Sequence, residues 1–407
     1  MSKVVTDKQK IEDILTRGVE NIYPNKKSLE KLLLSGQKIK MYYGIDPTGP
    51  SLHFGHLVQL IKLKQFQELG HEIIILIGDF TAQIGDPTDK TATRQQLTHQ
   101  QVLENSKNYK NQIGRILDIK KANIKFVYNE KWTNKLKPAD MIELASYFTV
   151  SRLLERDMFQ ARIKASKEIH LHEFLYPLFQ AYDAVSLDVD LQIGGNDQMF
   201  NMLAGRTLMK KMKNKEKFVL TTKLLEDPSG AKMGKTEGNM ITLEDKPEQM
   251  YGKIMSWTDG MILPAFEILT DINEETLEDV KAQLQLKKVN PRDVKMKLAY
   301  EVVRVYLGES SAKKGEADFR DIFQDNQKPQ DIPEIQIENK DGKIGVLDLF
   351  VSAGLAKSNS EVRRLIKEGA IQIDDEKITS DALEINLSAK SILLQRGKRQ
   401  FTRVVKK

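Results

Sequence analysis

The chain has 407 residues, enough for two or three domains and a sizeable core, with 40% hydrophobic and 29% charged residues. It has no cysteine, which excludes disulfides and thiolate zinc sites, and its six histidines are too scattered to suggest a metal cluster. No apolar run reaches eighteen residues and Met1 to Lys10 is charged, so neither a membrane span nor a signal peptide is expected and the cytoplasm is the default compartment; the net charge of +6 fits a polyanionic partner.

Ile11, Ile14, Leu15 and Val19, then Leu29, Leu32 and Leu33, recur at helical spacing on either side of Tyr23-Pro24-Asn25, which predicts two short helices. Next comes the stretch that organises the chain, Tyr42 to His56. An apolar run feeds the turn Asp46-Pro47-Thr48-Gly49-Pro50, and His53-Phe54-Gly55-His56 leads directly into a helix carrying Leu57, Leu60, Ile61, Leu63 and Phe66. The first backbone N–H groups of such a helix favour an anion, and Gly55 would let a flat ligand approach the backbone. His53 and His56 can offer ring N–H groups to the same ligand, so phosphate plus purine is the expected guest. The plainer reading is a helix cap with two surface histidines.

Gly70 fits a helix C-cap, and Glu72 to Ile77 reads as a strand buried on both faces, completing a βαβ unit. A second glycine-punctuated loop follows, from Gly78 to Lys90, with Arg94 one turn further. Ligands of open α/β sheets sit beyond the carboxyl ends of the strands, so this loop should face the first. Asp86 is a candidate for a substrate ammonium, and Lys90 and Arg94 for phosphate; an Asx-Pro turn with solvated charges is the alternative.

Residues 95 to 170 read as helical, apart from a strand at Ile124 to Tyr128 that precedes Trp132. Their apolar stripe, Met141, Ile142, Leu144, Ala145, Phe148, Leu153 and Leu154, is either core or a dimer surface. Tyr176, Gln180 and Asp183 then fall on one face of a helix, where three polar side chains among apolar neighbours need partners: each other, or a polar amino acid. Asp190 to Gln198 is a strand that ends in Gly194-Gly195 and a polar triplet, where a carboxylate suits a ribose. The third signature is Lys232-Met233-Gly234-Lys235-Thr236, two lysines bracketing a glycine in a polar loop.

Residues 246 to 323 read as a helix bundle, 324 to 343 as a linker rich in Asp, Gln, Pro and Lys, and 344 to 407 as a compact unit of two short helices and several strands. Arg363, Arg364 and Lys367 share a helix face, and Arg396, Lys398, Arg399, Arg403, Lys406 and Lys407 crowd the end. This is a solvated charge run or an RNA-backbone surface.

The three signatures in this order resemble those of the bacterial tyrosyl-tRNA synthetases, a class I family, over nearly the whole chain. His53 to His56 resembles the class I His-x-Gly-His signature, and Lys232 to Thr236 the Lys-Met-Ser-Lys-Ser loop in its Lys-x-Gly-Lys-Thr form. The resemblance implies an α/β fold: a Rossmann-like parallel-sheet catalytic domain over 1–245 with a helical insertion at about 95–170 that carries a homodimer surface. An α-helical anticodon-side domain over 246–323, a linker over 324–343 and an S-four type RNA-binding domain over 344–407 would follow.

It implies L-tyrosine, ATP with Mg2+ and tRNA(Tyr) as ligands, with no resident metal or organic cofactor. By the same resemblance Tyr42 and Asp183 read the substrate phenol, and Asp86, Tyr176 and Gln180 hold the α-ammonium group. Gly44, Asp46, Gly55, Gly195, Asp197 and Gln198 surround substrate and adenylate. Thr48, His53, His56, Lys90, Arg94, Lys232, Lys235 and Thr236 handle phosphate, while Arg363, Arg364, Lys367, Arg396, Lys398 and Arg399 contact RNA. Two departures bear on ribose and pocket-wall packing: Tyr43 stands in a slot often held by cysteine, and Met199-Phe200 replaces Trp-Gly. Competing readings are a tryptophanyl-tRNA synthetase, a small-molecule adenylyltransferase of the same nucleotide fold, and a catalytically idle RNA-binding protein. Tyr42 with Asp183 favours a phenol over an indole, and an adenylyltransferase needs neither the lysine loop nor the basic tail.

Overall fold

The structure is a computed structural model that describes residues 4–88, 96–226, 240–323, 332–337, 343–387, 391–397 and 400–406. It divides into two compact units, Met1–Ala312 and Lys313–Lys407.

The first unit is built on six strands: β1 (Val19–Tyr23), β2 (Lys40–Ile45), β3 (Glu72–Ile77), β4 (Ile124–Tyr128), β5 (Leu191–Gly195) and β6 (Phe218–Thr222). Their order is β1-β6-β5-β2-β3-β4. All neighbours run parallel except β1, which lies antiparallel on β6. In β3 every residue after Glu72 is buried, as a strand covered on both faces requires. The core beside it joins Tyr42, Ile74 and Leu76 of the sheet to Ala181, Ala184, Val185, Ala204, Leu208 and Met209 of two helices, Leu171–Leu187 and Met199–Lys213.

The chain steps outward from β2 to β3 and β4, then crosses back to β5 and β6 on the other side. That reversal leaves a crevice beyond the carboxyl ends of β2 and β5, the place where open α/β sheets bind ligands. The loops after β2, β3, β4 and β5 all end there.

The N-terminal region differs from the two-helix expectation. Helices Lys8–Thr16 and Lys26–Leu34 are present, but Val19 belongs to β1 between them. Gly18, at φ +64°, stops the first helix and lets Val19–Tyr23 pair with the sheet edge. C-terminal to β6, helices Pro247–Met255, Ile262–Leu269, Glu274–Gln285 and Pro291–Leu307 pack around Tyr251, Phe266, Leu298 and Val302, all fully buried.

The second unit holds β7 (Glu334–Ile337), β8 (Lys343–Gly345), β9 (Ile371–Ile373), β10 (Glu376–Lys377), β11 (Glu384–Asn386), β12 (Ile392–Arg396) and β13 (Gln400–Lys406). Five of them form a sheet of order β10-β9-β12-β13-β7, and β11 pairs with β8. Helices Val346–Ser352 and Asn359–Lys367 bury Leu349, Phe350, Val362 and Leu365 in its core. β7 corrects the expected linker over 324–343: Glu334 to Ile337 runs parallel to β13, because Ile335 and Ile337 alternate toward the core despite their polar surroundings.

Candidate active site

The helix Phe54–Glu68 begins at the crevice with His53 as its N-cap. His53 Nδ1 accepts from the Gly55 N–H at 3.1 Å, and the His53 N–H donates to His56 Nδ1 at 3.2 Å. Two ring nitrogens serving as acceptors place the proton of each neutral imidazole on Nε2. The rings lie 4.1 Å apart, so the pair can present Nε2–H donors to one anion. Gly55 has a structural reason of its own: a Cβ there would sit 2.8 Å from His53 Cε1, so the cap closes only over glycine.

This loop is tied to the chain just beyond the lysine signature. The Phe54 N–H donates to the Ile241 carbonyl at 3.1 Å, the Leu243 N–H to the Leu52 carbonyl at 2.8 Å, and His53 bridges Thr242 in antiparallel register. Arg115 and the Tyr306 hydroxyl both donate to the Leu243 carbonyl, at 2.9 and 2.6 Å. The segment that leaves the lysine signature thus returns alongside the histidines. Lys232, Lys235 and Thr236 themselves lie outside the described residues, as do Lys90 and Arg94.

A polar network joins the ends of β2, β3 and β4 to the helix Leu171–Leu187. Asp46, at the end of β2, accepts from the Thr81 hydroxyl at 2.7 Å and from the Tyr176 hydroxyl at 2.9 Å. Thr81 in turn accepts from Asn129 Nδ2 at 3.1 Å, and the same amide donates to Asp183 Oδ2 at 3.2 Å. Trp132 Nε1 donates to Asp183 Oδ1 at 2.8 Å. The two carboxylates, one from β2 and one from the helix Leu171–Leu187, are therefore joined through Thr81 and Asn129. Gly78 makes the junction possible, since a Cβ there would fall 2.0 Å from Asp46 Oδ1.

Burial dominates the electrostatics. It pushes the Asp183 carboxyl up to about 8, opposed by the Trp132 and Asn129 hydrogen bonds and reinforced by Asp46 and Asp79. Burial also raises the Tyr42 and Tyr176 phenols well above their ordinary range, helped by Asp183 at Tyr42 and by Asp46 and Asp86 at Tyr176. Both hydroxyls are thus held protonated. Tyr42, fully buried on β2, directs its hydroxyl toward the Gln180 carbonyl at 3.4 Å. Among the described residues Gln180 Oε1 is buried with no hydrogen-bond partner, an acceptor left over for a donor.

The structure also joins Asp86 to Gln198, whose Nε2 donates to Asp86 Oδ2 at 2.7 Å, while Asn201 donates to Gln198 Oε1 at 3.0 Å. Thr88 donates its N–H and hydroxyl to Asp86 Oδ1. Asp86 thereby sits with Gln198 of the β5 loop and Tyr176 bonds Asp46, while Asp86 still lies close enough to Tyr176 to act on its phenol. Thr48 donates its N–H to the Asp46 carbonyl at 2.8 Å. Gly44 ends exposed beside buried Tyr43, and Gly195 leaves room for Asp197, whose Oδ1 would meet a Cβ at 2.5 Å.

Both residues of the Met199-Phe200 departure have partners. Tyr23 donates to Met199 Sδ at 3.2 Å, and the Arg156 guanidinium covers the Phe200 ring at 4.8 Å while donating to Thr88 at 2.6 Å. Sequence reasoning assigned no role to Thr81, Asn129 or Trp132. The only sign of them was position, at the ends of β3 and β4.

In the second unit Arg363 pairs with Asp381 at 3.1 Å and Arg364 with Glu368 at 3.7 Å, both largely exposed, and Lys367 is exposed on the same helix. Arg396 departs from its expected role. It is half-buried, donating to Glu361 at 2.8 Å and to the Leu355 carbonyl at 2.6 Å, so it is committed to the fold. Lys398 and Arg399 lie outside the described residues.

Residues 34–324 match the family model described as tRNA synthetases class I (W and Y), and residues 324–404 match the tyrosine–tRNA ligase SYY-like C-terminal domain. The chain is 44% identical over 400 residues to the tyrosine–tRNA ligase of Carboxydothermus hydrogenoformans, covering 97% of each chain. It is 42% identical over 392 residues to that of Thermotoga maritima, covering 96% of each. Among solved structures its fold is similar to the tyrosyl-tRNA synthetase of Archaeoglobus fulgidus complexed with L-tyrosine, at TM-score 0.60 and 22% identity, over 76% of this chain and 100% of that one. The C-terminally truncated mitochondrial tyrosyl-tRNA synthetase of Aspergillus nidulans gives a TM-score of 0.61 at 22% identity, over 77% and 94% of the two chains.

Proposed function

The chain belongs to the class I tRNA synthetases of the tryptophan and tyrosine group, and on that footing we propose that it is a tyrosine–tRNA ligase. A carboxylate oxygen of L-tyrosine attacks the α-phosphorus of ATP and pyrophosphate leaves. A terminal ribose hydroxyl of tRNA(Tyr) then attacks the adenylate carbonyl and AMP leaves. Neither step calls for a protein nucleophile, so the residues work by positioning and by stabilising charge that grows on phosphate.

The observation that carries tyrosine over tryptophan is the buried Tyr42 hydroxyl with Asp183, whose carboxylate is already held by Trp132 and Asn129. A phenol hydroxyl can accept from Tyr42 and donate to Asp183 at once; an indole N–H can only donate, and a bare ring does neither. The α-ammonium group fits the acceptors Asp86 and Gln180 Oε1 with Tyr176 beside them. The His53 and His56 Nε2–H groups, with Thr48 and the lysines and arginine Lys90, Arg94, Lys232 and Lys235, serve the triphosphate, and Thr236 closes the lysine signature. Gly44, Asp46, Gly55, Gly195, Asp197 and Gln198 frame the adenylate. Magnesium would enter with ATP.

The domain reading assigns adenylate formation to the first unit and RNA contact to the second, through Arg363, Arg364 and Lys367. A homodimer is supported by large apolar side chains in and beside the helical insertion: Ile142, Val150 and Leu171 are 73%, 68% and 77% exposed. No helix among the described residues is long and apolar enough to cross a membrane, and the cytoplasm is the proposed compartment.

Amino acid-dependent exchange of pyrophosphate into ATP, run across all twenty amino acids, tests the reading. Tyrosine should dominate; exchange led by tryptophan, or none with any amino acid, refutes it. Cutting the chain after Phe323, which leaves the helix Glu309–Phe323 whole and removes β7 with its sheet, should abolish tRNA charging and spare exchange.

A further inference from the structure

Behind the Tyr42 ring lies a lysine with no part in the chemistry above. Lys217 directly precedes β6 and is fully buried. Its Nζ contacts Gln192 Oε1, donates to the Met202 carbonyl at 3.0 Å and lies 5.8 Å from the centre of the Tyr42 ring. The space for it is made by Gly205, where a Cβ would come within 2.7 Å of Nζ. Burial holds Lys217 well below the ordinary lysine range, with Arg206 acting in the same direction. Its donor role survives either charge state, because an ammonium has three N–H groups and an amine two, and two carbonyl oxygens accept from it.

Gln192, itself buried on β5, therefore has its oxygen occupied. Its amide N–H groups are left for the neighbouring strand, where Tyr42 is its direct partner in the parallel register of β2 and β5, and the Gln192 side chain acts on the Tyr42 phenol in the direction that favours the phenolate, as a donor to the phenol oxygen does. A phenol that accepts at oxygen sends its single hydrogen elsewhere. Here it points to the Gln180 carbonyl at 3.4 Å, a long contact for an O–H donor.

We propose that Lys217 is a positioning residue for amino acid selectivity: by holding the Gln192 oxygen it fixes Tyr42 as the donor to the substrate hydroxyl, which must then give its own proton to Asp183. The inference rests on the tyrosine-activating reading. Polarity runs one way, from Lys217 through Gln192 and Tyr42 to the substrate hydroxyl and Asp183, which accepts in its ionised form, the form that the Trp132 and Asn129 hydrogen bonds favour. Without the lysine, the Gln192 amide can turn over and take the Tyr42 hydrogen for itself.

The test is pyrophosphate exchange with tyrosine and with phenylalanine on the full chain and three variants, with melting temperatures alongside. Lys217→Met should raise KM for tyrosine and lower its kcat/KM about ten-fold, the scale of one buried hydrogen bond, with phenylalanine use and KM for ATP unchanged. Lys217→Gln, which keeps an N–H for Gln192, should restore most of the loss. Gln192→Glu keeps the partner of Lys217 but offers Tyr42 only acceptors. It should lower tyrosine use by a similar factor and spare phenylalanine, and it carries the test alone if Lys217→Met does not fold. Equal losses for the two amino acids, or an unchanged preference in Gln192→Glu, overturn the relay. Absence of tyrosine-dependent exchange in the unaltered chain overturns the functional reading, and the relay with it.

Discussion

The indole N–H of Trp132 donates to Asp183 Oδ1 at 2.8 Å, although the two residues come from the short helix Glu130–Thr133 that follows β4 and from the helix Leu171–Leu187, 51 positions apart. That bond stabilises the ionised carboxylate against burial. Trp132→Phe removes it and keeps the ring. The variant should lose about ten-fold in kcat/KM for tyrosine, the scale of a hydrogen bond to a charged group. It should also need a higher pH to reach half its maximal rate, because the Asp183 carboxyl loses a donor that lowered it. A pH profile of tyrosine-dependent exchange measures both.

Asp183 also links stability to pH. Its carboxyl is raised from 3.8 to about 8 on folding. Below the lower value it is neutral in both folded and unfolded chains, and its contribution to stability is fully present. That contribution is lost as pH rises through the folded value. Asp183→Asn cannot titrate, so its melting temperature relative to the unaltered chain should climb between pH 4 and 9, by on the order of 5 °C. Thermal melts at closely spaced pH values would show a constant difference if the group does not behave this way.

Thr81 is the hinge of the network, donating to Asp46 and accepting from Asn129. Thr81→Val keeps the shape and removes one bond from each neighbour, leaving Asp46 bonded to Tyr176 and Asn129 to Asp183 but no longer joined, so tyrosine activation should fall by about ten-fold. Its KM for tRNA should not change. Steady-state charging with varied tyrosine and varied tRNA separates the two effects.

The basic residues of the second unit should divide by experiment as they do by contact. Arg396→Ala breaks the bonds to Glu361 and the Leu355 carbonyl and should destabilise that unit by about 1–3 kcal/mol, visible in its melting. Arg364→Ala and Lys367→Ala should leave melting unchanged and raise the KM for tRNA, most strongly at low salt.

Much of this site was legible because it is written locally. His53 to His56 lies within one helix start, and Tyr176, Gln180 and Asp183 fall on one helical face. The buried run of β3 needed no partner to be recognised. What was missed depends on chain crossings. Asn129 and Trp132 reach Asp183 only because β4 is placed beside β3, which no spacing in the sequence reports. Lys217 follows Lys210, Lys211, Lys213 and Lys215, and in such a run it reads as one more solvated charge. β1 and β7 were hidden for a related reason: each is short and pairs with a strand far along the chain, so local composition speaks for something else.

The position of β7 sets an order of events at the ribosome. As an edge strand its one neighbour in the sheet is β13, and Glu334 meets Arg403 only after the intervening helices and strands have been made. Until then its backbone groups have water as their partner, and the non-local pairing is slow to form. The six strands of the nucleotide-type sheet are all synthesised by residue 222. The first unit, complete in sequence by Ala312, can thus mature during translation, before β13 is made and closes on β7 in the second.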